Sequence, residues 1–183
     1  LTVTETGDAI ILNNGTGAVL FSNTSRANQE IQQDATITRN LTLGGTNTGD
    51  NIITGGIRNN ESVDATNNGL GAISLTKQDA GKWILNGDNT YTGATAINAG
   101  TLELNGTNTS NISVAANATL AGSGSTTGTL TLVDDAIINI NNSSGGFTAS
   151  GGLDLSGVTA GAIDVNITAA VPGIIEVLNY GGI

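Results

Sequence analysis

Residues 75–105, LTKQDAGKWILNGDNTYTGATAINAGTLELN, contain the pattern that decides the fold. Trp83 and Leu85 are two residues apart, as are Leu102 and Leu104, and this spacing places side chains on one face of a β-strand. Between the two pairs lie an Asn-Gly and a Thr-Gly dipeptide, which are turn signals. The stretch therefore predicts two short strands, each with its own apolar face, joined by turns.

The same alternation of apolar and polar residues recurs along the chain. No window keeps apolar residues at i, i+3, i+4 and i+7 over three turns, and a short helical turn is expected only at SRANQEIQQ, residues 25–33. The chain is therefore predicted to be all-β, with little or no α-helix. The predicted strands include residues 41–43, 73–75, 83–85, 102–104, 112–114, 119–120, 130–132, 138–140, 153–155 and 163–167.

The composition indicates how such short strands pack. Gly, Thr, Asn, Ala and Ser make up 109 of the 183 residues, and only five residues are aromatic. A β-sandwich core needs larger side chains, whereas a β-solenoid stacks its coils around a narrow core, with Asn and Thr ladders between them. We predict a parallel β-solenoid with two strands in each coil of about 20 residues and roughly eight to ten coils. A Greek-key or jelly-roll sandwich stays as the alternative.

Residues 75–105 resemble the autotransporter-associated β-strand repeat. The resemblance rests on NTYTG at 89–93 and NAGTL at 98–102, and Asp79 is a departure because the family often has Gly there. It implies a right-handed parallel β-helix of the passenger type that bacteria display on their surface, and it implies no particular activity. The structural positions of the repeat are Trp83, Leu85, Asn89, Tyr91, Gly93, Gly100, Leu102 and Leu104.

Several kinds of chemistry are excluded by residue types that the chain lacks. It has no Cys and no His, so we predict no catalytic triad, no metal site and no cofactor, and we name no catalytic residue. Asp134-Asp135 and residues 44–50 (GGTNTGD) are weak calcium-site candidates and are expected to be structural. A polysaccharide-cleaving enzyme that uses carboxylates alone is the least favoured hypothesis. The net charge of −10 disfavours nucleic acid as a partner.

Two features of the repeat and its flank carry alternative interpretations. Asn-x-Ser/Thr occurs eleven times, and Asn105, which has the acid Glu103 two residues earlier, is the candidate glycosylation site. Trp83 and Tyr91 are expected to pack inside the fold, and a sugar-stacking platform is the alternative.

These observations predict a role outside the cell. We expect a single β-solenoid domain over residues 1–183, a piece of a longer precursor that a bacterium exports to its surface or beyond, with no transmembrane segment. It would serve as a non-enzymatic scaffold, passenger or adhesin-like, that contacts surface glycans or other cells. The alternative is a self-assembling subunit of an extracellular fibre, sheath or surface layer. Such a subunit would pair with copies of itself through its ends or edges, because residues 1–4 and 174–178 both read as uncapped strands.

Overall fold

The computed structural model describes residues 8–22, 38–59, 71–141, 146–159, 161–168 and 178–180. Eighteen β-strands and no helix occur in these ranges. Every pair of neighbouring strands is parallel. The predicted all-β character is therefore confirmed for the described part of the chain.

The strands form three sheets, which we name A, B and C. In spatial order, sheet A contains β1 (Ala9–Leu12), β3 (Arg39–Gly44), β5 (Ile73–Lys77), β7 (Thr95–Ile97), β10 (Ile112–Val114), β13 (Leu130–Val133) and β16 (Leu153–Gly157). Sheet B contains β2 (Leu20–Phe21), β4 (Asn51–Ile53), β6 (Lys82–Leu85), β8 (Thr101–Leu104), β11 (Thr119–Ala121), β14 (Ile137–Asn141) and β17 (Asp164–Thr168). Sheet C contains β9 (Thr107–Asn108), β12 (Ser125–Thr126), β15 (Phe147–Ala149) and β18 (Leu178–Tyr180).

The chain visits the sheets in a fixed order, and each visit adds one strand beside the previous strand of the same sheet. We number the coils 1 to 7 by their sheet A strand. Thr95 pairs with Ile112, and Ile112 pairs with Leu130, so a coil takes 17 or 18 residues in this region. This order and the parallel pairing make a parallel β-helix, as predicted. The sandwich alternative is wrong because Greek-key and jelly-roll sheets are built from antiparallel strands.

Two numerical expectations are corrected. Coils 4 to 7 contain three strands rather than two, because the short strands of sheet C close a third side. Seven coils, not eight to ten, occur in the described residues. Each sheet C strand has only two or three residues, which is too short for an alternation of apolar and polar positions to identify it. The right-handed sense of coiling stays a prediction.

All ten predicted strand segments coincide with strands. The last one is displaced by one residue, since the strand begins at Asp164 rather than at Ile163. The helical turn expected at 25–33, the strand expected at 1–4 and residues 174–177 of the strand expected at 174–178 lie outside the described residues, while Leu178 begins β18.

The core consists of columns of inward-facing side chains that run along the coil axis. In sheet B, Trp83, Leu102, Leu120 and Ile138 are successive partners in one column, and each has 0% of its surface exposed. Burying such a side chain stabilises the fold by about 1.5–3 kcal/mol. Leu104 stacks on Leu85 in the same way, so the two apolar pairs of the repeat share one interior face instead of having separate faces.

The turn between sheets A and B uses left-handed backbone in five consecutive coils. Gly and Asn tolerate positive φ better than other residues, and Asp shares this tolerance because its short side chain bonds locally. Asp79 therefore fits the position where the repeat family often has Gly. From coil 2 to coil 6, the residues with positive φ at this turn are Gly45 (99°), Asp79 (61°), Gly100 (64°), Asn117 (60°) and Asp135 (62°).

Candidate functional site

A shallow polar groove runs along the coil axis where sheet B turns into sheet C. Its volume is about 650 Å³, and it crosses coils 3 to 6. One wall consists of side chains that follow sheet B, and the other consists of outward-facing side chains of sheet C and the turn before it. The lining residues are Asn86, Asp88, Asn105, Gly106, Thr107, Ser123, Gly124, Ser125, Gly146 and Thr148.

Glycines form the floor of this groove because the coils approach each other too closely for a side chain. A Cβ atom on Gly106 would lie 2.2 Å from the carbonyl oxygen of Gly87, and one on Gly124 would lie 2.3 Å from that of Gly106. The floor is therefore bare backbone between two polar walls.

In coils 3 and 4, hydrogen bonds between side chains of successive coils form the walls. Asn105 Nδ2 donates to Asn86 Oδ1 at 3.0 Å and to Glu103 Oε1 at 2.9 Å. Thr107 Oγ1 donates to Asp88 Oδ1 at 2.9 Å. The predicted Asn ladder between coils is thus present here. Amides and hydroxyls both donate and accept, so the groove offers the functional groups that a polyhydroxylated ligand would match.

One cation balances the acids beside the groove. Lys82 Nζ lies 2.9 Å from Asp50 Oδ1 and 2.8 Å from Glu103 Oε2, which links three coils. Partial burial lowers the pKa of Lys82, but the hydrogen bonds and charges of Glu103 and Asp50 outweigh it, so the net pKa is raised. Glu103 is therefore neutralised locally, and Asp88 is the acid that lines the groove itself.

Trp83 lies in the interior with none of its surface exposed. Its Nε1 donates to the carbonyl oxygen of Gly44 at 3.0 Å, and its ring stacks on Phe21 with centroids 6.3 Å apart. Tyr91 is also 0% exposed. A sugar cannot reach either ring, so the alternative of a sugar-stacking platform is wrong, and both residues pack in the core as expected.

Tyr91 begins a buried chain of hydroxyl groups in coils 3 and 4. Its OH lies 2.6 Å from Thr95 Oγ1, which lies 2.6 Å from Ser110 Oγ, and Asn108 Nδ2 donates to that same Ser110 oxygen at 3.0 Å. Burial raises the pKa of Tyr91, with a smaller opposing effect from these hydrogen bonds. The phenol is therefore a neutral structural group rather than a reactive one.

Comparison with known proteins relates part of this chain to a known family of repeats. Residues 75–104 match the family of the passenger-associated transport repeat. The chain carries one such repeat. It is also 35% identical, over 158 residues, to the adhesin BmaC autotransporter of Brucella suis biovar 1 (strain 1330). That match covers 85% of this chain and 4% of the relative, so the chain spans only a small part of the length of the curated protein it matches.

Two further findings accompany these matches. No solved structure matches the chain. In the part of the chain that the structure describes, no helix has the length and apolar character needed to cross a membrane.

The polar positions of the passenger repeat stabilise its turns. Asn89 Oδ1 accepts a hydrogen bond from the backbone N–H of Ile57 at 3.0 Å, in the preceding coil. Gly93 lies directly against the backbone of Ile73, where a Cβ atom would be 2.4 Å from the carbonyl oxygen. Gly100 occupies the left-handed turn between sheets A and B. The repeat residues named from the sequence therefore lie in the scaffold, and none of them lines the groove.

Sequence reasoning missed Lys77, which belongs to the passenger repeat and is 0% exposed. Its Nζ donates to the carbonyl oxygens of Gln78 and Asp79 at 2.7 Å each and of Ala99 at 2.9 Å. Burial lowers the pKa of Lys77 to about 8, against the opposing charge of Asp79. The available signal was its distance of two residues from Leu75, which places both side chains on the same face of β5.

The remaining candidates from the sequence have structural roles or lie in the groove wall. Asp134 accepts hydrogen bonds from both the N–H and the hydroxyl of Thr159, and Asp135 occupies the left-handed turn. In segment 44–50, the Nδ2 of Asn47 donates to the carbonyl oxygen of Gly15 at 2.6 Å. Asn105, the candidate glycosylation site, is exposed in the groove wall. Among the described residues, no group of three or more acids has a geometry suited to a metal ion.

Proposed function

We propose that this chain is part of a bacterial surface protein and serves as a non-enzymatic, adhesin-like passenger scaffold. The observation that carries the proposal is the passenger-associated transport repeat, which forms coils 3 and 4 of the parallel β-helix. The similarity to an autotransporter adhesin supports the same role and supports export to the cell surface. The long columns of paired strands give the stiffness that such a scaffold needs.

The polar groove is the proposed contact surface of this scaffold. Its hydroxyl and amide ladders favour a ligand that is itself rich in hydroxyl groups, and Asp88 together with the net charge of −10 disfavours polyanions. We therefore propose neutral oligosaccharides of other cell surfaces as its partners. Binding of this kind is weak at each coil and gains strength when many copies act together.

Binding of the chain to a glycan array, and adhesion of beads that carry it to host cells, would test this role. We expect signal on neutral glycans and about a tenfold loss for Thr107→Arg, which places a long side chain in the groove. The matched control is Ser113→Arg, since Ser113 is exposed on sheet A, on a different face. Equal glycan binding by both variants would exclude the groove as the binding surface. Absence of cell adhesion by the unchanged chain would exclude the adhesin-like role.

The non-enzymatic part of the proposal has its own measurement. Incubation of the chain with neutral and acidic polysaccharides should release no new reducing ends. Release that disappears in Asp88→Asn would contradict the proposal, because it would assign acid chemistry to the groove.

A further inference from the structure

The sheet C wall of the polar groove is a column of outward-facing side chains, one from each coil. Strand pairing places Ser125 beside Thr107 on one side and beside Thr148 on the other, so the three hydroxyls follow the coil axis in register. The hydrogen bond from Thr107 Oγ1 to Asp88 Oδ1, 2.9 Å long, extends the column into coil 3. Parallel strands lie about 4.7–4.9 Å apart, so the column presents one polar group at about that interval from coil 3 to coil 6.

The opposite wall repeats this spacing with other polar groups. Asn86 and Asn105 are joined by a hydrogen bond of 3.0 Å. Ser123 takes the next position in this wall, because Glu103 and Ala121 are paired and each lies two residues before a wall residue. The groove therefore has two parallel polar edges with a floor of glycine backbone between them. A flat polymer with hydroxyl groups along both edges has the complementary form.

The two halves of the groove differ in how far their polar groups already bond to each other. In coils 3 and 4, the hydrogen bonds of Asn105 and Thr107 tie each wall together. In coils 5 and 6, the hydroxyls of Ser123, Ser125 and Thr148 make no hydrogen bond within the part of the chain that the structure describes, and all three residues are half-buried. A hydroxyl both donates and accepts, so these three are available to bond the hydroxyls of a ligand.

We propose that the groove binds an extended β-1,4-linked glycan along the coil axis, with one sugar ring at each coil, and this rests on the proposed function of the groove as a contact for neutral glycans. A β-1,4 chain with equatorial linkages is a straight, flat ribbon that advances per ring by nearly the spacing of parallel strands. Its hydroxyl groups point outward from both edges and would bond to the two walls. The less polar faces of its rings would lie on the glycine floor.

Two other classes of glycan fit the groove less well. An α-1,4 chain of the same sugar curves into a helix, so its successive rings leave a straight groove after one or two coils. A polyanionic chain would meet the carboxylate of Asp88 and the field of the net charge of −10. The groove therefore favours a neutral, straight chain, and the affinity should rise with the number of coils that the chain covers.

Isothermal titration of the unchanged chain with β-1,4-linked glucose chains of two to six rings tests the proposal, and α-1,4-linked chains of the same lengths are the matched control. In the β-1,4 series, the affinity should rise about tenfold from two rings to four and then level off, because the groove crosses only coils 3 to 6. The α-1,4 series should show no such rise. Equal affinities for the two series would overturn the proposal and leave the groove as a contact for neutral glycans. Binding of no neutral glycan would contradict the proposed function itself.

A substitution among the available hydroxyls gives the second test. Ser125→Arg places a long side chain in the middle of the sheet C column, so the affinity for the four-ring β-1,4 chain should fall about tenfold. The two-ring chain should lose less, because it still fits beside the obstruction. Ser113→Arg is the control, since it adds the same charge and length to the exposed face of sheet A. Equal affinities of the two variants for the four-ring chain would overturn the alignment of the glycan with this column.

Discussion

Lys77 shows how a single residue can hold two coils together. A protonated amine has three donors, and the three carbonyl oxygens of Gln78, Asp79 and Ala99 satisfy all of them. Ala99 belongs to the turn after β7, one coil beyond β5, which contains Lys77. The side chain therefore joins the turns of coils 3 and 4 from the inside of the fold.

Replacing Lys77 with Met should destabilise the protein by about 3 kcal/mol. Met fills nearly the same space but leaves three buried carbonyl oxygens without a donor. Urea unfolding followed by circular dichroism measures the change. The control is Lys82→Met, which removes an ion pair at a partly exposed site and should cost about 1 kcal/mol or less. Equal losses of the free energy of unfolding in the two variants would contradict the stabilising role of the three buried hydrogen bonds of Lys77.

The pH dependence of the free energy of unfolding tests the lowered pKa of Lys77. The folded chain releases this proton near pH 8, whereas the unfolded chain keeps it to the ordinary pKa of 10.5. Between these values the unfolded state binds more protons, so rising pH favours the folded state. The free energy of unfolding of the native chain, relative to Lys77→Met, should therefore increase from pH 8 to pH 10. A decrease over that range would show that the amine is more basic in the fold than in the unfolded chain.

At the scale of elements, the turn between sheets A and B has a recurring backbone feature. Coils 2 to 6 each place one Gly, Asn or Asp there with positive φ, although the neighbouring sequences differ. The turns differ in length, and φ ranges from 60° to 99°, but each one contains a single residue in left-handed backbone. Gly, Asn and Asp tolerate this conformation, which gives their abundance a structural use at these turns.

Asn117 tests this turn because its side chain is exposed and its φ is 60°. Asn117→Val should cost about 1–2 kcal/mol, since a β-branched residue is strained in left-handed backbone. Asn117→Gly serves as the matched control and should be neutral or slightly stabilising, because Gly adopts this conformation freely. The midpoints of thermal unfolding of the two variants measure this difference in stability. A stable Val variant would mean that the turn adapts its geometry to the residue.

For the whole molecule, the imbalance of charge is the dominant long-range effect. The sequence has fifteen acids and five bases, and two of those bases, Lys77 and Lys82, are engaged in the contacts described above. Repulsion among the acids is spread over the stack of coils, while the ion pairs of Lys82 are local. The net effect of salt on stability is therefore set by the repulsion.

Adding salt should stabilise the folded state. Raising the ionic strength from about 0.01 M to 0.15 M shortens the screening length from about 30 Å to about 8 Å, so the midpoint of thermal unfolding should rise. Thermal unfolding of the unchanged chain at the two ionic strengths measures the shift. Lys82→Met should gain more from salt, because it has lost its attractive pairs. A lower midpoint in salt would mean that ion pairs outweigh the repulsion.

The sequence by itself indicated the strands and favoured a parallel β-helix over a sandwich, and the repeat was recognised from the resemblance of residues 75–105 to a known family. The strands and their stacking follow from local causes: the two-residue period, the turn dipeptides and a composition without bulky core residues. Even Asp79, which departs from the repeat pattern, could be placed, because the position requires only tolerance of positive φ.

The tertiary structure alone decided which face of each strand is interior, that three sheets close a coil, and where the polar groove lies. A two-residue period separates two faces but does not say which one is covered, and Lys77 shows that a charge can occupy the covered one. The groove combines Asn86, Asn105 and Ser123 from three coils, which are distant in sequence and come together only through coil register. Register depends on the packing of the entire stack, and this is why no local pattern could reveal the site.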